Sequence, residues 1–81
     1  MNAEQVNAEV TQIFRDLFDD DSIVLTPDTT AKDISGWDSY KHVTLLVALE
    51  QNFGIRFKSR EIDGLARVGD LIELVVFKKL P

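Results

Sequence analysis

The 81-residue sequence has no cysteine, one histidine and only two prolines. Without cysteine, neither a disulfide bond nor a thiolate metal ligand can stabilise the fold, so stability must come from packed apolar side chains. A chain of this length has room for one small core, and we expect residues 1–81 to form a single domain. With so few reactive groups, the chain can hardly assemble a nucleophile, a base and an oxyanion site in one pocket. We therefore predict that the protein is not an enzyme.

Long apolar segments and clustered basic residues are also missing. No apolar run approaches the roughly 20 residues that span a bilayer, and the first ten residues lack the basic and apolar regions of a secretory signal. Residues 1–38 contain nine acidic and two basic residues, and residues 39–81 contain five acidic and seven basic ones, which gives net charges of −7 and +2. Phosphate contacts need clustered lysine and arginine, so we expect a cytoplasmic protein that binds neither membranes nor nucleic acid.

Four segments of the chain repeat apolar residues at helical spacing. Asp38 is a favourable N-cap for the second segment, Gly54 a favourable C-cap, and Ser59 a candidate N-cap for the third. Three consecutive aspartates, residues 19–21, oppose the dipole of the first helix and predict its end. Only residues 22–26, SIVLT, weakly resemble a β-strand. The predicted helices cover residues 3–18, 38–53, 59–65 and 68–78, so the predicted fold class is all-α.

Residues 22–37 show no sustained period and contain Pro27 and Gly36, which indicates a long loop. A loop of this length in a small domain is usually functional or packed down by its own side chains. We expect the apolar side chains of Ile23, Leu25 and Ile34, together with Trp37, to fix it to the core. The predicted core consists of Val10, Ile13, Phe14, Leu17, Ile34, Leu45, Leu46, Leu49, Phe53, Ile55, Ile62, Leu65, Val68, Leu71, Ile72 and Val75.

The second helix has two apolar sides. One is the core face, and the single histidine, His42, lies in its sector as a partly buried side chain or as a neighbour of a bound group. The other side carries Tyr40, Val43 and Val47. A small domain can rarely bury both sides of one helix, so we predict that this second stripe is at least partly exposed and binds a partner. The alternative is that the long loop folds over it.

Ser39 follows the predicted N-cap, Asp38, so its hydroxyl can point outward from the first turn. The N-terminus of a helix favours anions, and a phosphate attached to Ser39 would meet unpaired N–H groups, although Asp38 would oppose part of this attraction. The dipeptide Asp-Ser is also common at helix starts for purely structural reasons. The residues alone leave both interpretations open.

Three stretches in this order, GWDSYKHVTLLVALEQNFGIRF, then EI, then VGDLIELV, resemble the acyl carrier protein family over nearly the whole chain. The resemblance implies a four-helix bundle of the acyl-carrier type with a long first loop and a short third helix. It implies that Ser39 carries 4′-phosphopantetheine, attached from coenzyme A by a separate phosphopantetheinyl transferase, and that acyl groups are held there as thioesters for acyl-loading and acyl-transfer enzymes. We expect a monomer. The partner-binding residues that it implies are Asp38, Tyr40, Lys41, Val43, Thr44, Val47 and Glu50.

The sequence departs from the pattern of carriers that serve general fatty acid biosynthesis. Positions that are often acidic there read Lys41, His42 and Thr44, and the common leucine after the serine is Tyr40. Fewer acids on this helix disfavour docking to basic enzyme patches. We therefore predict a specialised lipid, polyketide-like or lipopolysaccharide pathway. Arg67 stands where a serine or threonine is usual, which puts the cap of the last helix in doubt.

Two other interpretations compete with the carrier. The first is an unmodified helical interaction module that binds through Tyr40, Val43 and Val47. The second is a calcium site at residues 19–21, but an EF-hand loop needs alternating oxygen ligands, and the apolar residues 23–25 occupy that stretch. We predict no metal site.

Overall fold

The computed structural model describes residues 2–80. It contains helices α1 (Ala3–Phe18), α2 (Ser39–Phe53), α3 (Ser59–Asp63) and α4 (Val68–Lys78), with a 3-10 turn at Ala31–Asp33 between α1 and α2. Within residues 2–80 there is no β-strand, so the weak strand candidate at residues 22–26 is an irregular segment. Helix α1 packs against both α2 and α4. The prediction of an all-α four-helix bundle with a long first loop and a short third helix is confirmed.

Helix α1 begins and ends with local hydrogen bonds. The side chain of Asn2 accepts from the N–H of Gln5 at 2.8 Å, and the side chain of Gln5 accepts from the N–H of Asn2 at 3.0 Å, which satisfies two unpaired donors at once. At the other end, Asp19 adopts a left-handed conformation with φ of 51° and donates its N–H to the carbonyl of Arg15. The predicted bounds of α1 are therefore correct.

The caps of helix α2 are those that the sequence predicts. The carboxylate of Asp38 accepts from the N–H of Lys41 at 2.9 Å. Gly54 has φ of 66° and donates its N–H to the carbonyl of Glu50, a left-handed end that glycine tolerates without a Cβ penalty. These two local signals set both ends of the helix that carries Ser39.

The core is continuous from α1 through the loop to α2 and α4. Val6 is fully buried although the predicted core omits it, because Val6, Val10 and Phe14 lie four residues apart on one face of α1. Five predicted core residues are only partly buried against the core, since they lie at its edge: Ile13, Leu17, Ile55, Ile62 and Leu65. The fully packed centre consists of Val6, Val10, Phe14, Leu45, Leu49, Val68 and Val75.

Helix α3 is shorter than predicted and begins differently. Lys58, not Ser59, is the N-cap, and the helix ends at Asp63 instead of reaching residue 65. The carboxylate of Glu61 accepts from the N–H of Lys58 at 2.8 Å and pairs with the ammonium of Lys78 at 2.9 Å. The pKa of the Glu61 carboxyl is held below its ordinary value, mainly by the hydrogen bond from the N–H of Lys58 and then by the ammonium of Lys78. These contacts attach α3 to α4.

Helix α4 begins without a side-chain cap, as the arginine in the usual capping position indicates. Its first two N–H groups are satisfied by loop carbonyls instead: Val68 donates to Thr29 at 2.8 Å, and Gly69 donates to Pro27 at 3.0 Å. A Cβ at position 69 would lie 2.7 Å from the carbonyl oxygen of Pro27, so glycine is required there. The start of α4 therefore holds the long loop against the bundle.

The side chain of Arg67 reinforces the same junction. Its guanidinium contacts the carboxylates of Asp28 at 3.1 Å and Asp70 at 3.4 Å. The carboxylate of Asp70 also accepts from the N–H of Arg67 at 3.2 Å. The hydrogen bond to Asp70 and then the charge of that carboxylate raise the pKa of Arg67, with a smaller contribution from Asp28. Arg67 thus links the loop to the last helix, where a serine or threonine would only cap that helix.

Candidate functional site

Ser39 is the first residue of α2, and its side chain is exposed. The carboxylate of Asp38 is turned towards the N–H of Lys41, and its carbonyl accepts from the N–H of His42 at 2.9 Å. Within residues 2–80, the N–H groups of Ser39 and Tyr40 have no hydrogen-bond partner. The hydroxyl thus lies beside two unpaired donors at the positive end of a helix of 15 residues.

The surface around Ser39 is an open groove. Its walls are formed by the end of the long loop and the first turn of α2, and the residues that line it are Ala31, Trp37, Asp38, Ser39, His42 and Val43. A bulky group joined to the hydroxyl would leave the protein along this groove without displacing the core. The site therefore fits a large covalent substituent with an anionic link.

Trp37 and His42 form one side of this groove. The indole N–H of Trp37 donates to Nδ1 of His42 at 3.2 Å, and the two ring planes are 22° apart with centroids separated by 5.9 Å. The indole N–H can only donate, so Nδ1 of His42 is the acceptor in this contact. His42 is partly buried and lines the same groove as Ser39. Its partial burial agrees with the first interpretation, and a role beside a bound group stays a prediction.

The second apolar stripe of α2 is exposed. The exposed fractions are 77% for Tyr40, 61% for Val43 and 44% for Val47. The prediction of partial exposure is confirmed, and the alternative in which the long loop covers this stripe is wrong. We name these three side chains the outer face of α2. It begins one residue after Ser39.

The side chains of the other predicted partner-binding residues form hydrogen bonds with backbone groups of the protein itself. The ammonium of Lys41 donates to the carbonyl of Leu17 at 3.3 Å. The carboxylate of Glu50 accepts from the N–H of Phe57 at 2.8 Å, and the hydroxyl of Thr44 donates to the carbonyl of Tyr40 at 3.1 Å. The lysine and the glutamate are the only charged residues of α2 apart from its histidine. The helix therefore presents an uncharged outer face, and its two charged side chains, Lys41 and Glu50, hydrogen-bond to backbone groups elsewhere.

A second cavity, which the sequence analysis did not predict, lies behind the Ser39 groove. Its volume is about 80 Å³, and its lining includes Trp37, His42, Leu46, Leu65, Val68 and Leu71. The groove and the cavity share Trp37, His42 and Ala31. No local pattern could have revealed it, because its walls come from the loop, α2 and the start of α4.

Within the described residues, neither a metal-binding cluster nor a membrane-spanning helix is present. Residues 2–80 contain no group of three or more histidine, aspartate or glutamate side chains that could hold a metal ion. The helices in the same range are too short or too polar to cross a bilayer.

Comparisons with known proteins agree with this geometry. A family model described as a phosphopantetheine attachment site matches residues 8–75. The chain is 29% identical over 79 residues to an acyl carrier protein of Prochlorococcus marinus (strain MIT 9515), covering 98% of this chain and 99% of that one. It is 28% identical over 78 residues to an acyl carrier protein of Helicobacter pylori (strain G27), covering 96% and 85%.

A solved structure extends the likeness to three dimensions. The solution structure of holo acyl carrier protein from Geobacter metallireducens superposes with a TM-score of 0.86 at 49% identity, covering 90% of this chain and 84% of that one. The chain therefore belongs to the phosphopantetheine-binding acyl carrier protein family. Its prosthetic group is 4′-phosphopantetheine, and it is a carrier rather than an enzyme.

Proposed function

We propose that Ser39 is the attachment residue and that the protein presents acyl groups on this arm to partner enzymes. The terminal thiol of 4′-phosphopantetheine supplies the chemistry, since it holds an acyl group as a thioester that a chain without cysteine could not form. The observation that carries the proposal is the placement of one exposed hydroxyl at the start of α2, beside two unpaired N–H groups and an open groove.

The residues around Ser39 suit a phosphodiester. The N–H groups of Ser39 and Tyr40 would donate to phosphate oxygens, and the dipole of α2 would favour the negative charge. The carboxylate of Asp38 repels that charge, but its hydrogen bond to Lys41 directs it towards the helix. We propose that Asp38, as the N-cap, fixes the start of α2 at Ser39, the residue to be modified.

The direct test is the intact mass of the protein after incubation with coenzyme A and a promiscuous phosphopantetheinyl transferase. We expect the wild type to gain one phosphopantetheine and Ser39→Ala to gain none. Ser59→Ala is a matched control, because Ser59 is also an exposed first residue of a helix, and it should be modified like the wild type. No gain on folded wild-type protein with several transferases would instead favour an unmodified interaction module that uses the outer face.

The outer face supports a proposal about partners. Tyr40, Val43 and Val47 offer apolar contact, whereas Lys41 and Glu50 are occupied by backbone groups. We propose that acyl-loading and acyl-transfer enzymes dock here mainly through apolar contact, and that they belong to a specialised lipid, polyketide-like or lipopolysaccharide pathway. Efficient acylation by the enzymes of general fatty acid biosynthesis, with transfer that slows steeply as salt is raised, would contradict this.

Three further predictions from the sequence belong to the same proposal. The protein is a monomer, it forms a single domain over residues 1–81, and it works in the cytoplasm. Light scattering should show one symmetric peak at monomer mass, and limited proteolysis should release no stable fragment. Cell fractionation tests the prediction that the protein works in the cytoplasm.

A further inference from the structure

Most basic side chains of this protein are engaged by the fold itself. The sequence has nine basic residues, and five of them direct the cationic group to a carbonyl or a carboxylate of the same chain: Arg15, Lys41, Arg67, Lys78 and Lys79. The other four are exposed, and within residues 2–80 their cationic groups form neither an ion pair nor a hydrogen bond: Lys32, Arg56, Lys58 and Arg60. Three of these four follow α2 directly, at residues 56–60.

Arg56 lies beside the outer face of α2. Together with Val47, the last residue of that face, it lines an open hollow at the C-terminal end of the helix. Ile55 and Phe57 are partly buried, whereas Arg56 and Lys58 are exposed. This alternation places both cationic side chains on the side away from the core. The outer face therefore ends at two basic side chains, Arg56 and Lys58, which we name the basic rim.

The neighbouring acidic side chains leave the basic rim positive. Glu50 lines the same hollow, but it is partly buried and its carboxylate accepts from the N–H of Phe57 at 2.8 Å. Glu61 forms its ion pair with Lys78. Two positive charges against the one negative charge of Glu50 give a net charge of +1. The excess of acidic residues in this chain lies in residues 1–38, before α2 and the segment that follows it.

The two ends of the outer face therefore differ in charge. The exposed Asp38 precedes Ser39 at the start of α2, and the basic rim follows the end of the helix. These ends lie about 22 Å apart, because α2 has 15 residues. An enzyme that contacted only the apolar side chains could lie along α2 in either direction, and only one direction would bring its active site to Ser39. Unlike charges at the two ends distinguish these directions.

We propose that the basic rim contacts an acidic patch on the acyl-transfer enzymes that this carrier serves. Apolar contact with the outer face supplies most of the affinity, and carboxylates beside the apolar site of the enzyme meet Arg56 and Lys58. A guanidinium can bind a carboxylate through two parallel N–H groups, so Arg56 is the main specificity-determining residue. An enzyme with a basic patch would meet like charge there. This inference rests on the proposed function of Ser39 and adds the sign of the charge that the partner carries.

A charge-swap experiment on the full chain with its 4′-phosphopantetheine attached tests the proposal. The probe is a malonyl-coenzyme A transferase of general fatty acid biosynthesis with a basic docking patch, used in two forms. In the second form the lysines and arginines of that patch are replaced by glutamate. The kcat/KM for malonyl transfer to the carrier is measured with both forms. Transfer to free pantetheine, which makes no docking contact, corrects for any change in the active site of the enzyme.

We expect the wild-type carrier to prefer the acidic form of the enzyme and Arg56→Glu to reverse that preference. With Arg56→Glu, kcat/KM should rise about 3–10-fold for the basic form and fall by a similar factor for the acidic form. Arg56→Gln should lie between the wild type and Arg56→Glu. These differences should shrink as salt is raised from about 0.05 to 0.5 M, because exposed charges are screened.

Arg60→Glu is the matched control. Arg60 is also an exposed arginine, but it lines a separate hollow with Asp70 and Glu73 of α4. The substitution changes the net charge of the protein as much as Arg56→Glu does, and it should keep the wild-type preference. Circular dichroism verifies that each variant is folded before transfer is measured.

The outcomes separate this inference from the proposed function. A wild-type carrier that accepts phosphopantetheine but prefers the basic form of the enzyme would overturn the basic rim and leave Ser39 as the attachment residue. Equal shifts for Arg56→Glu and Arg60→Glu would do the same, since they would reflect net charge alone. If folded wild-type protein gains no phosphopantetheine, the proposed function fails and this inference falls with it.

Discussion

Helix α2 has two apolar faces that differ in what they contact. The inner face places Leu45, Leu49 and Phe53 in the core, where each is buried by α1, α4 or the loop. The outer face leaves Tyr40, Val43 and Val47 in solvent. The amino acids on the two faces are similar, so their chemistry alone does not separate stability from function. The position of each face relative to α1 and α4 decides which one is buried, and four predictions test that difference.

The largest effect is expected on the inner face. Leu49→Ala removes a fully buried side chain and leaves a cavity, so the free energy of unfolding should fall by about 2–5 kcal/mol. In a small domain that approaches the total stability. Val47→Ala, two residues away on the outer face, should change it by less than about 0.5 kcal/mol. Urea unfolding followed by circular dichroism measures both, and equal losses would show that the outer face is buried in solution.

The next effect concerns binding through the outer face. Val43→Ser should raise the KM of a phosphopantetheinyl transferase for the apo protein about 5–30-fold, because an apolar contact of 1–2 kcal/mol is lost from the interface. Stability should stay nearly unchanged. Val24→Ser is the matched control, since Val24 is also an exposed valine and lies in the long loop. A KM that moves equally for both variants would place the docking surface elsewhere.

A smaller effect is expected at Trp37, which lies just before α2. Trp37→Phe keeps an aromatic ring against Phe14 but removes the donor to His42. The free energy of unfolding should fall by about 0.5–1.5 kcal/mol, the net contribution of one hydrogen bond. The ¹⁵N chemical shift of Nδ1 of His42 should move in this variant. A shift identical to that of the wild type would show that the bond is absent in solution.

The smallest effect is a pH dependence far from α2. The pKa of Glu61 is lowered in the folded state by the N–H of Lys58 and the ammonium of Lys78. Its ionised form therefore stabilises the fold above the ordinary pKa of about 4.3, and this contribution is lost as the pH falls through the lowered pKa. Melting temperatures measured between about pH 3 and 7 should fall less steeply towards acid in Glu61→Gln. Glu73→Gln, at an exposed residue of α4 that makes no ion pair within residues 2–80, should follow the wild type.

The sequence by itself determined the local features of this protein. Asp38 and Gly54 set the ends of α2 because a capping carboxylate and a left-handed glycine act within one turn of the chain. Apolar spacing separated the inner face from the outer one, since a helix has a fixed period. The same local pattern places Ser39 at the start of α2, but its proposed role as the attachment residue came from the family resemblance. The end of α3 at Asp63 was missed, because a helix of five residues gives too few periods to fix its bounds.

The tertiary structure alone decided how distant segments meet. The contact from Lys41 to the carbonyl of Leu17 spans 24 residues, and the bond from Val68 to Thr29 joins α4 to the loop. The position of Trp37 is set by packing against Phe14 of α1, and the cavity beside it forms only because α4 closes the other side. Helical period and capping act over one turn, so they carry no information on these placements. Close packing of the four helices supplies it.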